Sequence, residues 1–314
     1  MIEAARRQTQ RHFGKTIQLY APLYLSNECV NGCAYCGFNS KSHIRRITLT
    51  IDQIAKEAGY LRKQGFQHVL MLTGESKEIV PVDYLREAVK CLKKIFVSVS
   101  IEVYPLSEAE YRSLVQAGTD GLTIYQETYH LPTYHKVHPF GPKRNYRFRL
   151  GSAERAAAAG MRKIGLGVLL GLYDWRYESE KLAQHLRYLL KKYWQTQFQL
   201  SFPRINPAET NFKVEHPVSD NELILMICSF RLAFPQIPFA LSTREKAELR
   251  DQIFPLGITS MSAGSRTCPG GYSLGIKSGK QFEIADTRSV KEVCRSLVAA
   301  GYEPVFKDWE RSFS

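Results

Sequence analysis

Three cysteines within eight residues, Cys29-Val-Asn-Gly-Cys33-Ala-Tyr-Cys36, constrain this chain more than any other stretch. They lie between the apolar run 19–25 and Gly37-Phe-Asn-Ser, so the pattern puts them in a loop that leaves a strand. A loop this short can bend back and point three sulfurs at one centre, and thiolates are the ligands that iron–sulfur clusters take. Three ligands for the four irons of a [4Fe–4S] cube leave one iron open to bind and reduce a small molecule. A zinc site or unrelated buried cysteines are the alternatives. Zinc wants a fourth Cys or His at a defined spacing, and His43 alone is a poor candidate.

Around this loop, short apolar runs alternate with amphipathic stretches. A polar helix is expected over 1–14, covering one end of whatever follows, then a strand over 16–25. A helix over 50–65 carries Ile51, Ile54, Ala55, Ala58 and Leu61 at helical spacing, with Thr50 as N-cap and Gly65 as stop. Strands are then predicted over 68–73, 97–103, 121–125, 163–170, 198–202, 239–242 and 257–262. Helices are predicted over 82–94, 107–117, 152–159, 178–193, 220–234, 243–251 and 289–299. About eight strands with intervening helices predict an α/β fold, a parallel (β/α)8 barrel, ahead of an open doubly wound sheet. One domain over 1–314 is expected, with 263–314 as a C-terminal extension.

The composition is that of a soluble globular protein, 44% hydrophobic and 23% charged. No apolar run approaches the roughly 20 residues that span a bilayer, and the start of the chain has no signal-peptide core, so a cytoplasmic protein is expected. The other four cysteines, Cys91, Cys228, Cys268 and Cys294, are scattered singly, as in a reducing compartment. A net charge of +13 invites a nucleic-acid hypothesis. The basic residues are spread out, however, with only short groups such as 41–46 and 142–149, and no nucleic-acid-binding signature accompanies them. A solvated basic surface, suited to an acidic protein partner, is the preferred reading.

The spacing C-x3-C-x2-C, with Tyr35 ahead of the last cysteine, resembles the radical S-adenosylmethionine (SAM) superfamily. There the open iron chelates SAM, and electron transfer yields a 5′-deoxyadenosyl radical. Barrel active sites sit where strands end and loops begin. Thr73-Gly74-Glu75 ends the second predicted strand, where glycine admits close approach and Glu75 accepts hydrogen bonds; alone it would be a common turn. The resemblance implies that Gly74 and Glu75 engage the amino group of SAM. Glu127, after the fourth strand, suits ribose hydroxyls. Arg155 either pairs with the methionyl carboxylate of SAM or faces solvent from its helix. Gly165 and Gly167 mark a close backbone approach, assigned to the adenine.

Further segments extend the resemblance: Pro22-Leu-Tyr-Leu-Ser-Asn27, Tyr125-Gln-Glu-Thr-Tyr-His130, Ser201-Phe-Pro-Arg204, Leu241-Ser-Thr-Arg-Glu245 and Pro269-Gly-Gly-Tyr272. With the cysteines they resemble the tyrosine lyases of thiazole biosynthesis, the 2-iminoacetate synthase family, over about 13–309. The resemblance implies cleavage of L-tyrosine at Cα–Cβ to 2-iminoacetate and p-cresol. It also implies a [4Fe–4S] cluster, SAM, a flavodoxin- or ferredoxin-type reductant, and thiazole synthase as a partner. It places Arg244 on the substrate carboxylate, a fork only guanidinium offers, with Ser260 or Ser262 beside it. Tyr24 either faces the substrate or is a core aromatic. Arg204 is next in line for the clamp. A related lyase acting on tryptophan and a non-catalytic cluster-bearing or basic binding protein stay open. Relatives usually carry several tens of residues before the first helix, which leaves a partner-binding role for that segment in doubt. No second-cluster domain follows, so carbon monoxide and cyanide are not expected products.

Overall fold

Alternate burial along the first apolar run explains how the sheet is covered on both faces. In β1 (Thr16–Ser26), Ile17, Leu19, Ala21, Leu23 and Leu25 are buried under surrounding helices, whereas Tyr20 and Tyr24 belong to a separate inner cluster. A period of two is what a strand imposes, and burial of both faces is the mark of a parallel sheet wrapped by helices. The structure, a computed structural model, describes residues 1–306; the end of the expected C-terminal extension, 307–314, lies outside the described residues, as does the last part of the 13–309 resemblance. A helix α1 (Ile2–Phe13) precedes β1. The chain then runs through α2 (Ile51–Lys63), β2 (His68–Thr73), α3 (Val82–Lys93), β3 (Ser98–Glu102), α4 (Glu108–Ala117) and β4 (Gly121–Thr123). Next come α5 (Leu131–Val137), a 3-10 turn (Pro142–Arg144), α6 (Tyr146–Leu150), α7 (Ser152–Ala158), β5 (Lys163–Gly167), α8 (Trp175–Lys192) and β6 (Gln197–Ser201). The rest is α9 (Asp220–Ala233), β7 (Phe239–Leu241), α10 (Ala247–Gly257), β8 (Ser260–Ser262), α11 (Val290–Ala299) and β9 (Glu303–Val305).

Strands β2 to β8 pair in sequence order, all parallel, and β1 pairs with both β8 and β2. Those pairings close the eight-stranded barrel that the alternation predicts. β9 then lies along the N-terminal part of β1, pairing at Thr16–Gln18, while β2 takes β1 from Ala21 onward. The helix starts are fixed locally. α2, α4, α9 and α11 each open with a capping box, Thr50 with Gln53, Ser107 with Glu110, Ser219 with Glu222 and Ser289 with Glu292. Each box satisfies two N–H groups that the helix itself leaves unpaired.

Three expectations shift. α1 packs on α9 and α10, with Ala5 and Thr9 buried and the Thr9 hydroxyl donating to the Leu256 carbonyl at 3.1 Å. The helix expected over 243–251 runs instead from Ala247 to Gly257, because Leu249, Ile253, Phe254 and Leu256 are buried that far along. Pro255 removes only one donor near its end, so burial outweighs it and β8 begins late, at Ser260. The pattern also gave no sign of α5, α6 or β9.

One ion pair ties the C-terminal segment to this frame. Arg250 and Asp286 are both fully buried and paired, and the Arg250 guanidinium also donates to the Ser262 carbonyl. Removing the carboxylate strands a buried cation, which costs about 3–5 kcal/mol. Asp286→Ala should therefore lower the unfolding free energy by that order in urea melts, and a change under about 1 kcal/mol would show the pair to be dispensable.

Candidate active site

At the C-terminal ends of the strands, Cys29, Cys33 and Cys36 line a cavity of about 610 Å³. The other walls come from Tyr24 of β1, Gly74 and Glu75 after β2, Glu102 at the end of β3, Glu127 after β4, and Lys143, Arg149 and Gln281. Backbone contacts hold the cysteine loop from several sides. Val30 N–H donates to the Glu75 carbonyl at 2.9 Å, Ala34 N–H to Val137 at 3.0 Å, and Gly37 N–H to Gln281 at 2.9 Å. Glycine is required at position 37, because a Cβ there would collide with the Lys280 carbonyl. Asn31 locks the loop to its neighbours, donating from Nδ2 to the Glu75 carboxylate at 2.6 Å and accepting the Lys143 N–H at 2.9 Å.

All seven cysteines are free. Burial pushes the Cys36 thiol up to about 11 and the Cys33 thiol higher, while Lys143 draws both back. Among the described residues, no three His, Cys, Asp or Glu side chains are gathered as a lone metal ion requires. The donor set is thus three thiols lining one cavity, with no fourth cysteine or histidine among its lining residues.

Glu127 anchors the opposite side. Its φ of 71° is the one left-handed value on a non-glycine residue among the described residues, held by a Leu169 N–H to Glu127 carbonyl bond of 2.8 Å. Such a backbone is costly and is found where surrounding structure imposes it, often at functional sites. Its carboxylate accepts from Lys143 Nζ at 2.7 Å and from Arg149 Nη2 at 3.0 Å. Burial alone would raise its pKa, but the two cations outweigh that and hold it down at about 2. Lys143 and Arg149 belong to the basic group 142–149, which reads in the sequence as solvated surface. The structure corrects that for these two: α5, the 3-10 turn and α6 turn both side chains inward, where they are largely buried, while Arg144 and Arg147 stay exposed. No periodicity announces such a turn; the tyrosine and phenylalanine interleaved with the charges were the one signal available.

The predicted residues fall into three groups. Tyr24, Gly74, Glu75, Glu127 and the three cysteines share the cavity. The Tyr24 hydroxyl donates to Gln281 Oε1 at 2.6 Å, and its ring meets Phe38 edge-on at 5.9 Å. A Cβ at Gly74 would collide with the Glu28 carbonyl, so only glycine passes there. Arg244 and the serines stand nearby. Arg244 lines a second cavity of about 910 Å³ and stacks on Phe282 at 3.4 Å, yet its charge acts on Tyr24 and Glu102 in the first cavity's wall. Arg204 lines the same second cavity but is already bound to Glu245 and Asp220. Ser262 Oγ accepts the Thr243 N–H at 3.0 Å. Ser260 lies deeper, accepting from Gln199 Nε2 at 2.7 Å beside Gln18 and His68.

The remaining predictions are displaced. Arg155 donates to the Leu106 and Phe148 carbonyls at 2.8 and 2.6 Å and stacks on Phe148 at 4.0 Å, outside the cavity. The guanidinium on the cavity wall is that of Arg149. Tyr35 turns into a cluster with Val137, Leu169 and Leu172. His138 Nδ1–H donates to the Tyr134 carbonyl at 2.8 Å, which leaves Nε2 to accept from the Tyr35 hydroxyl at 2.8 Å. Gly167 is crowded by the Ser201 carbonyl and the Tyr125 ring, and Gly165 by Thr123. The close approach at both glycines includes the barrel's own atoms, and Gly165 also lines an inner cavity with Tyr125 and Ser201.

Residues 23–186 match the family model of the Radical SAM superfamily, and residues 201–303 that of the Biotin and Thiamin Synthesis associated domain. The chain is 43% identical over 311 residues to 2-iminoacetate synthase of Escherichia coli (strain K12), covering 99% of this chain and 82% of that protein. It is 41% identical to the 2-iminoacetate synthase of Salmonella typhimurium, with the same coverage. A crystal structure of HydG, a maturase of the [FeFe]-hydrogenase, is similar with a TM-score of 0.93 and 34% identity, covering 98% of this chain and 68% of that one. The radical SAM superfamily implies a [4Fe–4S] cluster and SAM, and three free thiols in one cavity without a fourth cysteine are a donor set that fits them. With its closed parallel barrel, its cysteine loop and nearly full-length similarity, this chain belongs to the 2-iminoacetate synthase family of radical SAM enzymes.

Proposed function

We propose that this chain cleaves L-tyrosine between Cα and Cβ to 2-iminoacetate and p-cresol, with 5′-deoxyadenosine and methionine, for thiamine thiazole formation. The observation that carries the reading is the three-thiol cavity in a chain 43% identical over 99% of its length to the E. coli enzyme. In this reading Cys29, Cys33 and Cys36 hold the cluster, while Gly74, Glu75, Glu127 and Arg149 face SAM. When bound, cluster and SAM together supply a 5′-deoxyadenosyl radical.

The chain's own part is to hold an amino acid still. Arg244 has a guanidinium with no ion-pair partner among the described residues, so its planar fork is available to the substrate carboxylate. Tyr24 on the first cavity's wall and Ser262, whose Oγ accepts the N–H of Thr243 next to Arg244, are the flanking residues in this reading. The basic net charge of +13 suits an acidic electron donor of flavodoxin or ferredoxin type, and thiazole synthase is the proposed recipient of the product. Seven free cysteines support a reducing, cytoplasmic setting, and no helix among the described residues is long and apolar enough to cross a membrane. The unit is read as one barrel domain over 1–314, supported by the β1–β8 pairing that joins its ends.

Anaerobic reconstitution, reduction with dithionite and a screen of the aromatic amino acids tests the reading: tyrosine should give p-cresol, and an indole product from tryptophan instead would refute it. Within that assay Arg244→Lys keeps the charge but loses the two-point grip. The ratio of p-cresol to 5′-deoxyadenosine should fall by about tenfold to a hundredfold, the scale of an ångström's misplacement. A ratio equal to wild type would remove Arg244 from the site.

A further inference from the structure

One acidic side chain on the cavity wall has no assigned task. Glu102, at the end of β3, lines the cavity, and its carboxylate takes no hydrogen bond or ion pair from any described residue. The groups around it are Tyr20 and Tyr24 of β1 and Tyr125 and Glu127 at the end of β4. Lys143, Arg149 and Arg244 are the cations that act on it. Two of those cations are spoken for, since Lys143 and Arg149 both close on Glu127. What is left is a carboxylate, Glu102, and a guanidinium, Arg244, that feel each other's charge without touching. Both are partly buried, where unpaired charges still cost free energy and opposite ones normally collapse together. Held apart, Glu102 on the wall of the first cavity and Arg244 on that of the second, they are the complement of a zwitterion reaching between the two.

We propose that Glu102 receives the α-ammonium group of the amino-acid substrate, while Arg244 takes the carboxylate, and that Glu102 accepts one ammonium proton so the amine is neutral when its N–H is presented for hydrogen abstraction. The assignment rests on the tyrosine-lyase reading. One N–H bond breaks and one O–H bond forms, and an ammonium–carboxylate pair becomes a neutral amine and a carboxylic acid. No other reactant is needed. Burial, with Glu127 adding to it, raises the Glu102 carboxyl to about 7, which lets it hold the proton it receives. Glu127 cannot serve, because its two cations keep it ionised and occupied.

The test compares wild type, Glu102→Gln and Glu102→Asp as cluster-loaded holoenzymes with SAM, dithionite and tyrosine, from about pH 7 to about pH 9. It reads p-cresol per 5′-deoxyadenosine, and tyrosine binding by equilibrium dialysis without reductant. In Glu102→Gln the ratio should fall at least about tenfold near pH 7 and recover by up to about tenfold per pH unit as the free amine grows in solution. Tyrosine should bind that variant more weakly at about pH 7 than at about pH 9, and Glu102→Asp should keep the wild-type pH shape at a lower ratio. A Gln variant equal to wild type, or one whose deficit does not recover with pH, overturns the proposal, the latter pointing to the phenol hydroxyl or to packing. If the Gln variant does not load its cluster, an unchanged ratio in Glu102→Asp overturns it equally. Wild type that makes no p-cresol from tyrosine defeats the lyase reading itself and the proposal with it. Wild type that makes it while Glu102→Gln matches defeats the proposal alone.

Discussion

A Cys36→Ala protein, reconstituted beside wild type, should emerge without a stable cluster and form no 5′-deoxyadenosine from SAM. Two thiolates would remain for four irons, and no spare thiol lines the cavity. Cys91 lies on α3, Cys228 on α9 and Cys294 on α11, and neither they nor Cys268 line the cavity. The loop itself should survive the change, because its shape is set by backbone bonds such as Gly37 N–H to Gln281 and by Asn31, not by the sulfur. Iron content, sulfide content and SAM cleavage should therefore all collapse while the melting temperature of the cluster-free protein moves little. Full iron and wild-type SAM cleavage in this variant would show that the three thiols are not the ligands.

Arg149→Ala and Arg155→Ala should behave oppositely. Arg149 is buried against Glu127 and donates through Nε to the Tyr125 carbonyl at 2.7 Å, so it fixes both the carboxylate and the end of β4. Its loss leaves Lys143 as the sole cation on a buried carboxylate, a change worth about 2–3 kcal/mol in a charge-assisted contact. SAM affinity should drop by about thirtyfold or more, with the cluster retained. Arg155→Ala forfeits two bonds to backbone carbonyls and a stack on Phe148. That should cost about 1–2 kcal/mol of folding stability and leave SAM binding unchanged. Equilibrium dialysis with cluster-loaded proteins separates the two. Weakened binding in Arg155→Ala with none in Arg149→Ala would restore the arginine that the sequence favours.

Much of the frame was legible because local signals agreed with tertiary ones. His68–Thr73 is found at its predicted bounds, and the capping residues Thr50 and Ser107 stand where the helical patterns begin. The cysteine loop follows its strand, and Glu75 and Glu127 reach the cavity because both sit just past strand ends. What escaped reading has a common cause. Lys143, Arg149 and Glu102 matter through partners far away in sequence or through having none, and neither condition leaves a periodic trace. Arg155 was the more conspicuous arginine, on a clean helical stretch, whereas Arg149 hides in a five-residue helix whose cap, Asn145, bonds the Phe148 N–H. α10 begins and ends later than its expected 243–251, because buried leucine and phenylalanine carry the helix beyond Asp251 and through Pro255.

The wall behind the cysteine loop has a consequence for how the protein is made. The Tyr24 hydroxyl donates to the Gln281 side chain across 257 residues of sequence, and the backbone carbonyl of the same Gln281 holds the Gly37 N–H. Bringing such distant partners together means closing nearly the whole chain, an entropic cost met only once the barrel has formed. The three thiols are synthesised early, yet the surface that shapes their loop, around Gln281, follows more than two hundred residues later. A loop shaped in this way should take up iron best after the segment around Gln281 has folded against it.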